Sequence, residues 1–232
     1  MDSKGFAVAI DGPVGVGKST TARMVAEKLG FAYIDTGAMY RTVALYMFKQ
    51  GVDLADASAV EKNLPAINIH LSQAGDGQHV YLNERDVTRE IRTQYVSEGA
   101  SVVAAHRAVR EKLVAQQKKM AETGCVVMDG RDIGSQVLPW AQVKIYLDAD
   151  VEIRANRRIL DLQNKGQPTE FEKVLEETKI RDHRDKNRTE SPLIQTEDAI
   201  RIDTGQKSIK EVTDTIVEIV KRKENQSCSI NS

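Results

Sequence analysis

Short apolar runs that stop at acidic residues punctuate the chain, and stretches with helical spacing separate them. Phe6 to Ile10 is the first such run; it holds β-branched residues and halts at Asp-Gly, as a buried strand entering a turn does. Ala22, Val25, Ala26 and Leu29 then recur at i, i+3, i+4 and i+7, giving one apolar helix face, and Gly30 stands where a C-terminal glycine cap belongs. Cys125 to Met128 and Val143 to Leu147 repeat the strand pattern, and Ala199 to Ile202 repeats it more weakly. Ile209, Val212, Ile216 and Ile219 line a last amphipathic helix. The alternation predicts an α/β fold with a parallel sheet in a three-layer core.

Two segments break the alternation. Ile67 to Leu71 and Val80 to Leu82, joined by Q-A-G-D-G-Q, predict a hairpin, with Asp86 to Thr88 as a candidate third strand. Residues from about 63 to 100 therefore read as a small antiparallel insert. Asp150 to Asn187 is rich in charge and predicts two helices broken near Gly166 and Pro168, a pair able to serve as a mobile lid. The end, E-N-Q-S-C-S-I-N-S, reads as a frayed tail over 225–232.

At 232 residues, 41% of them apolar, the chain can bury a sizeable core without metals or disulfides. Its 33 basic and 34 acidic side chains nearly cancel, so no overall field draws it to nucleic acid or an anionic membrane, and local clusters must carry any anion recognition. No run approaches the roughly 18 apolar residues of a membrane span, and M-D-S-K-G-F-A-V-A-I lacks the apolar stretch of a signal peptide. Cys125 and Cys228 have neither disulfide nor metal-ligand spacing and read as reduced thiols, which points to the cytoplasm. Without an apolar seam beyond the expected core, the expectation is a monomer.

Candidate chemistry begins right after the first strand. Gly12, Gly17, Lys18 and Ser19 satisfy G-x-x-x-x-G-K-[ST] between a predicted strand and a predicted helix, the context a phosphate loop requires. Glycines let successive N–H groups face one anion, the helix N-terminus adds partial positive charge, Lys18 reaches the β and γ phosphates, and the Ser19 hydroxyl can ligate Mg²⁺. The expected ATP contacts run through Gly12, Pro13, Val14, Gly15, Val16, Gly17, Lys18, Ser19 and Thr20. Asp129, ending the apolar run C-V-V-M, is the preferred acid for the metal, because it opens the polar, glycine-rich D-G-R-D-I-G; Asp148 after V-K-I-Y-L is its competitor.

The destination of the phosphate is a separate question. A guanine-reading N-K-x-D is missing: the nearest string, N-K-G-Q at Asn164, lacks the acid. Arg181, Asp185 and Arg188 have helical spacing i, i+4 and i+7, with Arg184 near their edge, and Arg154, Arg157 and Arg158 form a similar stripe on the preceding segment. Either stripe alone is as well explained by a solvated, salt-bridged face. Two in one segment favour a lid that closes over phosphates, whose oxygens suit arginine's fork, and Arg157 and Arg158 are assigned to the ATP side.

The combination D-G-P-V-G-V-G-K-S at Asp11, D-T-G-A-M-Y-R at Asp35, D-G-R-D-I-G at Asp129 and I-R-D-H-R-D-K-N-R at Ile180 closely resembles the bacterial cytidylate kinases, in register from about residue 6 to residue 222. The resemblance implies an ATP-Mg²⁺ core (1–35, 104–149 and 189–224), a CMP- or dCMP-binding region (36–103) and a helical lid (150–188). It implies acceptor-phosphate contacts at Arg41 and Arg131, with Arg188 near the transferring phosphates and Thr36 also on the acceptor side. It implies cytosine contacts at Ser101, Arg110 and Asp132, and sugar contacts at Tyr40, Arg181 and Asp185. Thr36 stands where several members of that family have serine, and Ser19 where some have glycine. Each residue also has a plainer reading: Ser101 a helix cap, Arg110 a surface charge on a 107–120 helix, Tyr40 a packed aromatic. A phosphate-loop kinase for another small acceptor, or a nucleotide-sensing protein, remains the alternative.

Overall fold

In a computed structural model of the chain, residues 5–230 are described except 76, 165 and 168, and for 123 and 227–230 the backbone alone. The elements run β1 (Ala7–Asp11), α1 (Lys18–Leu29), β2 (Ala32–Asp35), α2 (Thr36–Lys49), α3 (Ala57–Asn63), β3 (Ile69–Ala74), β4 (Gly77–Leu82) and β5 (Arg85–Asp86). They continue as α4 (Gln94–Val103), α5 (Arg107–Met120), β6 (Val126–Gly130), β7 (Val143–Asp148), α6 (Val151–Asn164), α7 (Phe171–Asn187), β8 (Ile200–Asp203) and α8 (Ile209–Ile230). Two compact units result, Met1–Tyr33 with Ala121–Ser232, and Ile34–Met120.

The first unit carries a five-stranded sheet in the order β2-β6-β1-β7-β8. Central β1 pairs in parallel with β6, Ala7 opposite Val126, and with β7, Val8 opposite Val143; β7 pairs with β8 in the same sense. Every residue of β1 from Ala7 to Ile10 is fully buried, which is why it reads as a continuous apolar run rather than an alternation. Val8 and Ile10 join Val143, Ile145 and Leu147 in one core with Ala22, Val25 and Ala26 of α1 and Val212, Ile216 and Val220 of α8. Gly30, at φ +68°, closes α1 by returning its N–H to the Ala26 and Glu27 carbonyls. The strand β2 went unread in the sequence because A-Y-I-D is only four residues long, too short to display a period.

The second unit holds its own apolar cluster, including Met39, Val43, Met47, Val60, Ile67, Ile91 and Leu113. Side-chain caps start its helices: Asp35 accepts from the Ala38 N–H at 2.8 Å, Asp56 from Ala59 at 3.0 Å and Thr93 from Val96 at 3.3 Å. The antiparallel sheet β3-β4-β5 lies inside the expected insert, but its register differs from the apolar runs. Ladder bonds carry the hairpin through Gln73–Gln78 and Ala74–Gly77, leaving a two-residue turn in place of a six-residue loop; Asp76 lies outside the described residues. Backbone pairing needs no apolar side chain, so polarity hid the strand ends. Asn83 and Glu84, both at positive φ, turn β4 into β5, and Thr88 leaves the ladder, its hydroxyl accepting the Val80 N–H at 2.9 Å.

The charged segment forms two helices, α6 and α7, packed through Ala155, Leu162 and Val174 with Ile159, Phe171 and Leu175. Gly166 takes a left-handed φ of +70° between them, and Pro168 lies outside the described residues. Helix α8 extends to Ile230, into the segment expected to fray; 231–232 and the side chain of Cys228 lie outside the described residues.

Candidate functional site

The strand β1 delivers the phosphate loop. Gly12 sits at φ +150° where a Cβ would come within 2.2 Å of the Leu147 carbonyl oxygen, so the loop can turn there only with glycine. Gly17, at φ +90°, caps α1 without a side chain, which leaves first-turn N–H groups to face an anion. Lys18 opens α1 and folds back, its Nζ donating to the Pro13 carbonyl at 2.6 Å. Burial, then repulsion from Arg131, pushes this ammonium well below its usual range, against the pull of Asp129 and Asp185.

Beside it, the Ser19 hydroxyl donates to Asp129 Oδ2 at 2.8 Å, and the Tyr33 hydroxyl donates to the other oxygen at 2.9 Å. The competing acid, Asp148, accepts from Arg201 at 2.7 Å. One hydroxyl and one carboxylate are hard oxygen donors, a short set that suits Mg²⁺, which keeps several waters and takes phosphate oxygens besides.

The stretch D-G-R-D-I-G leaves β6 and enters a single π turn, Ile133–Val137. Arg131 Nε donates to Asp185 Oδ2 of α7 at 2.9 Å, while Arg188 Nη2 lies 3.6 Å from Asp132 Oδ1. Burial works against the charge of Asp185, yet Arg131 and Arg181 outweigh it and hold the carboxyl below its usual range. Burial opposes Arg131 likewise, and Asp185 holds its guanidinium pKa above the usual value. Upstream, Asp11 at the end of β1 accepts from the Ile133 and Gly134 N–H groups at 2.8 and 2.7 Å.

The two arginine stripes divide. Arg154 is buried and forks three ways, from Nε to the Ala149 carbonyl at 2.9 Å, from Nη1 to the Val14 carbonyl of the phosphate loop at 3.1 Å, and from Nη2 to Asp182 of α7 at 2.6 Å. Arg157 donates to the Thr204 hydroxyl and carbonyl at 3.0 and 2.5 Å, and Arg158 is half-buried on the same helix. Arg181 and Asp185 share α7, but Arg188 does not extend their stripe: it stands at the C-cap with extended backbone, φ −63° and ψ 142°. Asn187 ends the helix by turning its amide onto the His183 carbonyl at 2.8 Å.

In the second unit, Thr36 opens α2, buried, and Arg41 one turn on pairs with Asp35 at 2.8 Å. Tyr40 lies under Arg110 of α5, whose guanidinium carbon is 5.5 Å from the ring centroid. Arg110 is 4% exposed, so it is no surface charge. Ser101 lies inside α4 rather than capping it, 6% exposed, and its Oγ has no partner among the described residues. Buried hydroxyls are ordinarily satisfied, which makes this one a candidate to bond a ligand.

The family model for cytidylate kinase matches residues 8–222. The chain belongs to the cytidylate kinase family. Among its relatives are the cytidylate kinase of Bacillus pumilus (strain SAFR-032), 49% identical over 96% of this chain and 99% of that protein, and the cytidylate kinase of Bacillus subtilis (strain 168), 48% identical over 95% and 98%. A solved uncharacterized protein from Eubacterium ventriosum ATCC 27560 covers 94% of the chain and 99% of its own with a TM-score of 0.51 at 13% identity, a likeness of fold alone. Three side chains that tie the phosphate loop and its neighbouring segments together escaped the sequence reading. Asp11 was visible only as the residue that stops a strand, Tyr33 belongs to the unread β2, and Arg154 was counted among arginines facing a phosphate. The one available signal was Asp11 itself, an acid placed directly before an anion-binding loop.

Proposed function

We propose that the chain transfers the γ-phosphoryl group of ATP to CMP or dCMP, giving ADP and CDP or dCDP. The observation that carries this reading is the cluster in which Arg131 and Asp132, neighbours on one loop, pair with Asp185 and Arg188 while Arg131 acts on Lys18. Guanidinium groups from separate segments gather around a phosphate-loop lysine, an arrangement suited to phosphoryl transfer.

The acceptor phosphate monoester has a second pKa near 6, so at neutral pH it is already an anionic nucleophile and needs no general base. One of its oxygens bonds to the γ-phosphorus while the bond to the β-γ bridging oxygen breaks and ADP leaves. Lys18 and the backbone from Gly12 to Thr20, through the N–H groups of every residue there but Pro13, hold the donor, with Arg157 and Arg158 on the ATP side. Arg41, Arg131 and Arg188 offset the repulsion between the two anions. When bound at Ser19 and Asp129, Mg²⁺ supplies further charge neutralisation. On the acceptor, Asp132 and Ser101 on one side and Arg110 on the other match cytosine's donating amine and its accepting ring nitrogen and carbonyl, an edge that uracil reverses at two positions. Thr36, Tyr40, Arg181 and Asp185 hold its sugar and phosphate. Residues 150–188 act as a lid that excludes water, and the protein works as a cytoplasmic monomer.

A panel of nucleoside and deoxynucleoside monophosphates with ATP-Mg²⁺, scored by ADP formation, tests the reading. CMP and dCMP should lead. Turnover on a different small acceptor alone, or slow hydrolysis indifferent to all of them, would displace it.

A further inference from the structure

We propose that Asp11 is a positioning residue for acceptor recognition: by holding the turn that follows Arg131 and Asp132, it sets where those two side chains stand. The inference rests on the (d)CMP kinase reading and concerns a residue that touches neither nucleotide in it.

Asp11 is the last residue of β1, buried, and each carboxyl oxygen accepts one backbone N–H, Oδ1 from Ile133 and Oδ2 from Gly134. Those are the first two residues of the π turn, the N–H groups that a helical turn leaves without partners. The side chain of Asp132, the N-cap residue, makes no capping bond to this turn. The cap comes instead from a strand 122 residues away. Gly134 lies close to the carboxyl, a Cβ there standing 3.4 Å from Asp11 Oδ2 and 3.2 Å from Lys144 Cδ.

Arg131 and Asp132 branch from the backbone immediately before this anchor. Their own ion pairs, to Asp185 and Arg188, reach across to the α7 segment and fix only the far ends of the side chains. The near end is held before Arg131 by Gly130 in the β1 ladder, at Asp132 by the turn's own N–H groups on its carbonyl, and after it by Asp11, which ties the first two N–H groups of the turn to β1. Since displacement of a reacting group by about 1 Å can cost 10²-fold in rate, an anchor that begins at the residue next to Asp132 and next but one to Arg131 has a direct route to kcat/KM. Asp11 also begins the phosphate loop, so one carboxyl joins the donor loop to the acceptor-reading loop. Burial penalises this charge, pushing the carboxyl up to about 7 against its two N–H donors, a cost in stability of the kind that functional sites retain.

Asp11→Asn is nearly the same shape but must set an amide N–H₂ against a backbone N–H. In the full chain, we expect kcat/KM for CMP to fall at least about 30-fold and the CMP-over-UMP preference to fall at least about fivefold, while the Kd of ATP measured calorimetrically without acceptor stays within about threefold. A loss of ATP binding equal to the loss on CMP would mean that Asp11 merely supports the phosphate loop, and an unchanged kcat/KM or an unchanged CMP-over-UMP preference would equally overturn the proposal. Should Asp11→Asn fail to melt cooperatively, Asp11→Glu, which keeps the carboxylate but carries it one methylene further along, is judged by the same three numbers. Wild-type protein inactive on CMP in the same assay would remove the functional reading itself, a result distinct from any of these.

Discussion

Ser101 shows how a single side chain can be costly to the fold and useful to the site. Its hydroxyl is buried in α4 with no partner among the described residues, so the ligand-free protein carries an unmet desolvation cost. Ser101→Ala should therefore leave the urea midpoint unchanged or slightly higher while raising KM for CMP about tenfold; a drop in stability without a KM change would make the hydroxyl structural. Arg131 and Arg188 behave differently, because each is tied to a carboxylate that its removal leaves exposed to a low-dielectric surrounding. We expect Arg131→Ala or Arg188→Ala to cut turnover by on the order of 10²-fold or more with a cooperative thermal transition retained. Near-normal turnover in either would withdraw its assignment.

At the scale of elements, one guanidinium joins three of them. Arg154, from the first turn of α6, bonds the segment that ends β7, the phosphate loop at Val14, and α7 through Asp182. The fork is planar and fully charged, so each of its three bonds constrains the others, and lysine cannot reproduce it. Gly15 is drawn so close that a Cβ would stand 3.2 Å from Arg154 Cβ. Breaking a buried pair of this kind typically costs about 3–5 kcal/mol. Arg154→Ala should lower the chemical unfolding midpoint accordingly and raise KM for ATP more than KM for CMP, which separate titrations of the two substrates will show. The insert illustrates the opposite case, in which an element is held by many weak ties: Lys112 of α5 donates to the Ile67 carbonyl at 2.6 Å and Gln116 to that of Ile69 at 2.6 Å, pinning the start of β3.

For the molecule as a whole, two buried carboxyls contribute to the pH dependence of stability with opposite signs. Asp185 has a folded pKa below its unfolded value near 3.9, so its contribution is present above that value and is lost as pH falls through the lowered one. Asp11, pushed up to about 7, binds a proton in the fold that the unfolded chain has released, so its contribution is present below about pH 4 and is lost as pH rises through 7. The urea midpoint of wild type relative to Asp11→Asn should thus decline from about pH 4 to pH 7, Lys18 contributing equally to both; a difference that does not change with pH would contradict the assignment. The same contrast separates what could be read early from what could not. Continuous burial of β1, the apolar faces of α1 and α8, and the glycine loop between β1 and α1 follow from information within a few residues, since periodicity and φ limits act locally. Short β2 and the polar ends of the hairpin lacked such a period and stayed hidden. The sequence by itself determined the fold class, the phosphate loop and, through four motifs in register, the family. Only the tertiary structure decided that Arg154 braces a loop, that Arg110 is buried over a ring, that Arg188 leaves its helix and that Asp11 caps a turn 122 residues away. Desolvation and Coulomb attraction depend on which atoms end up a few ångströms apart, a relation the order of residues along the chain does not contain.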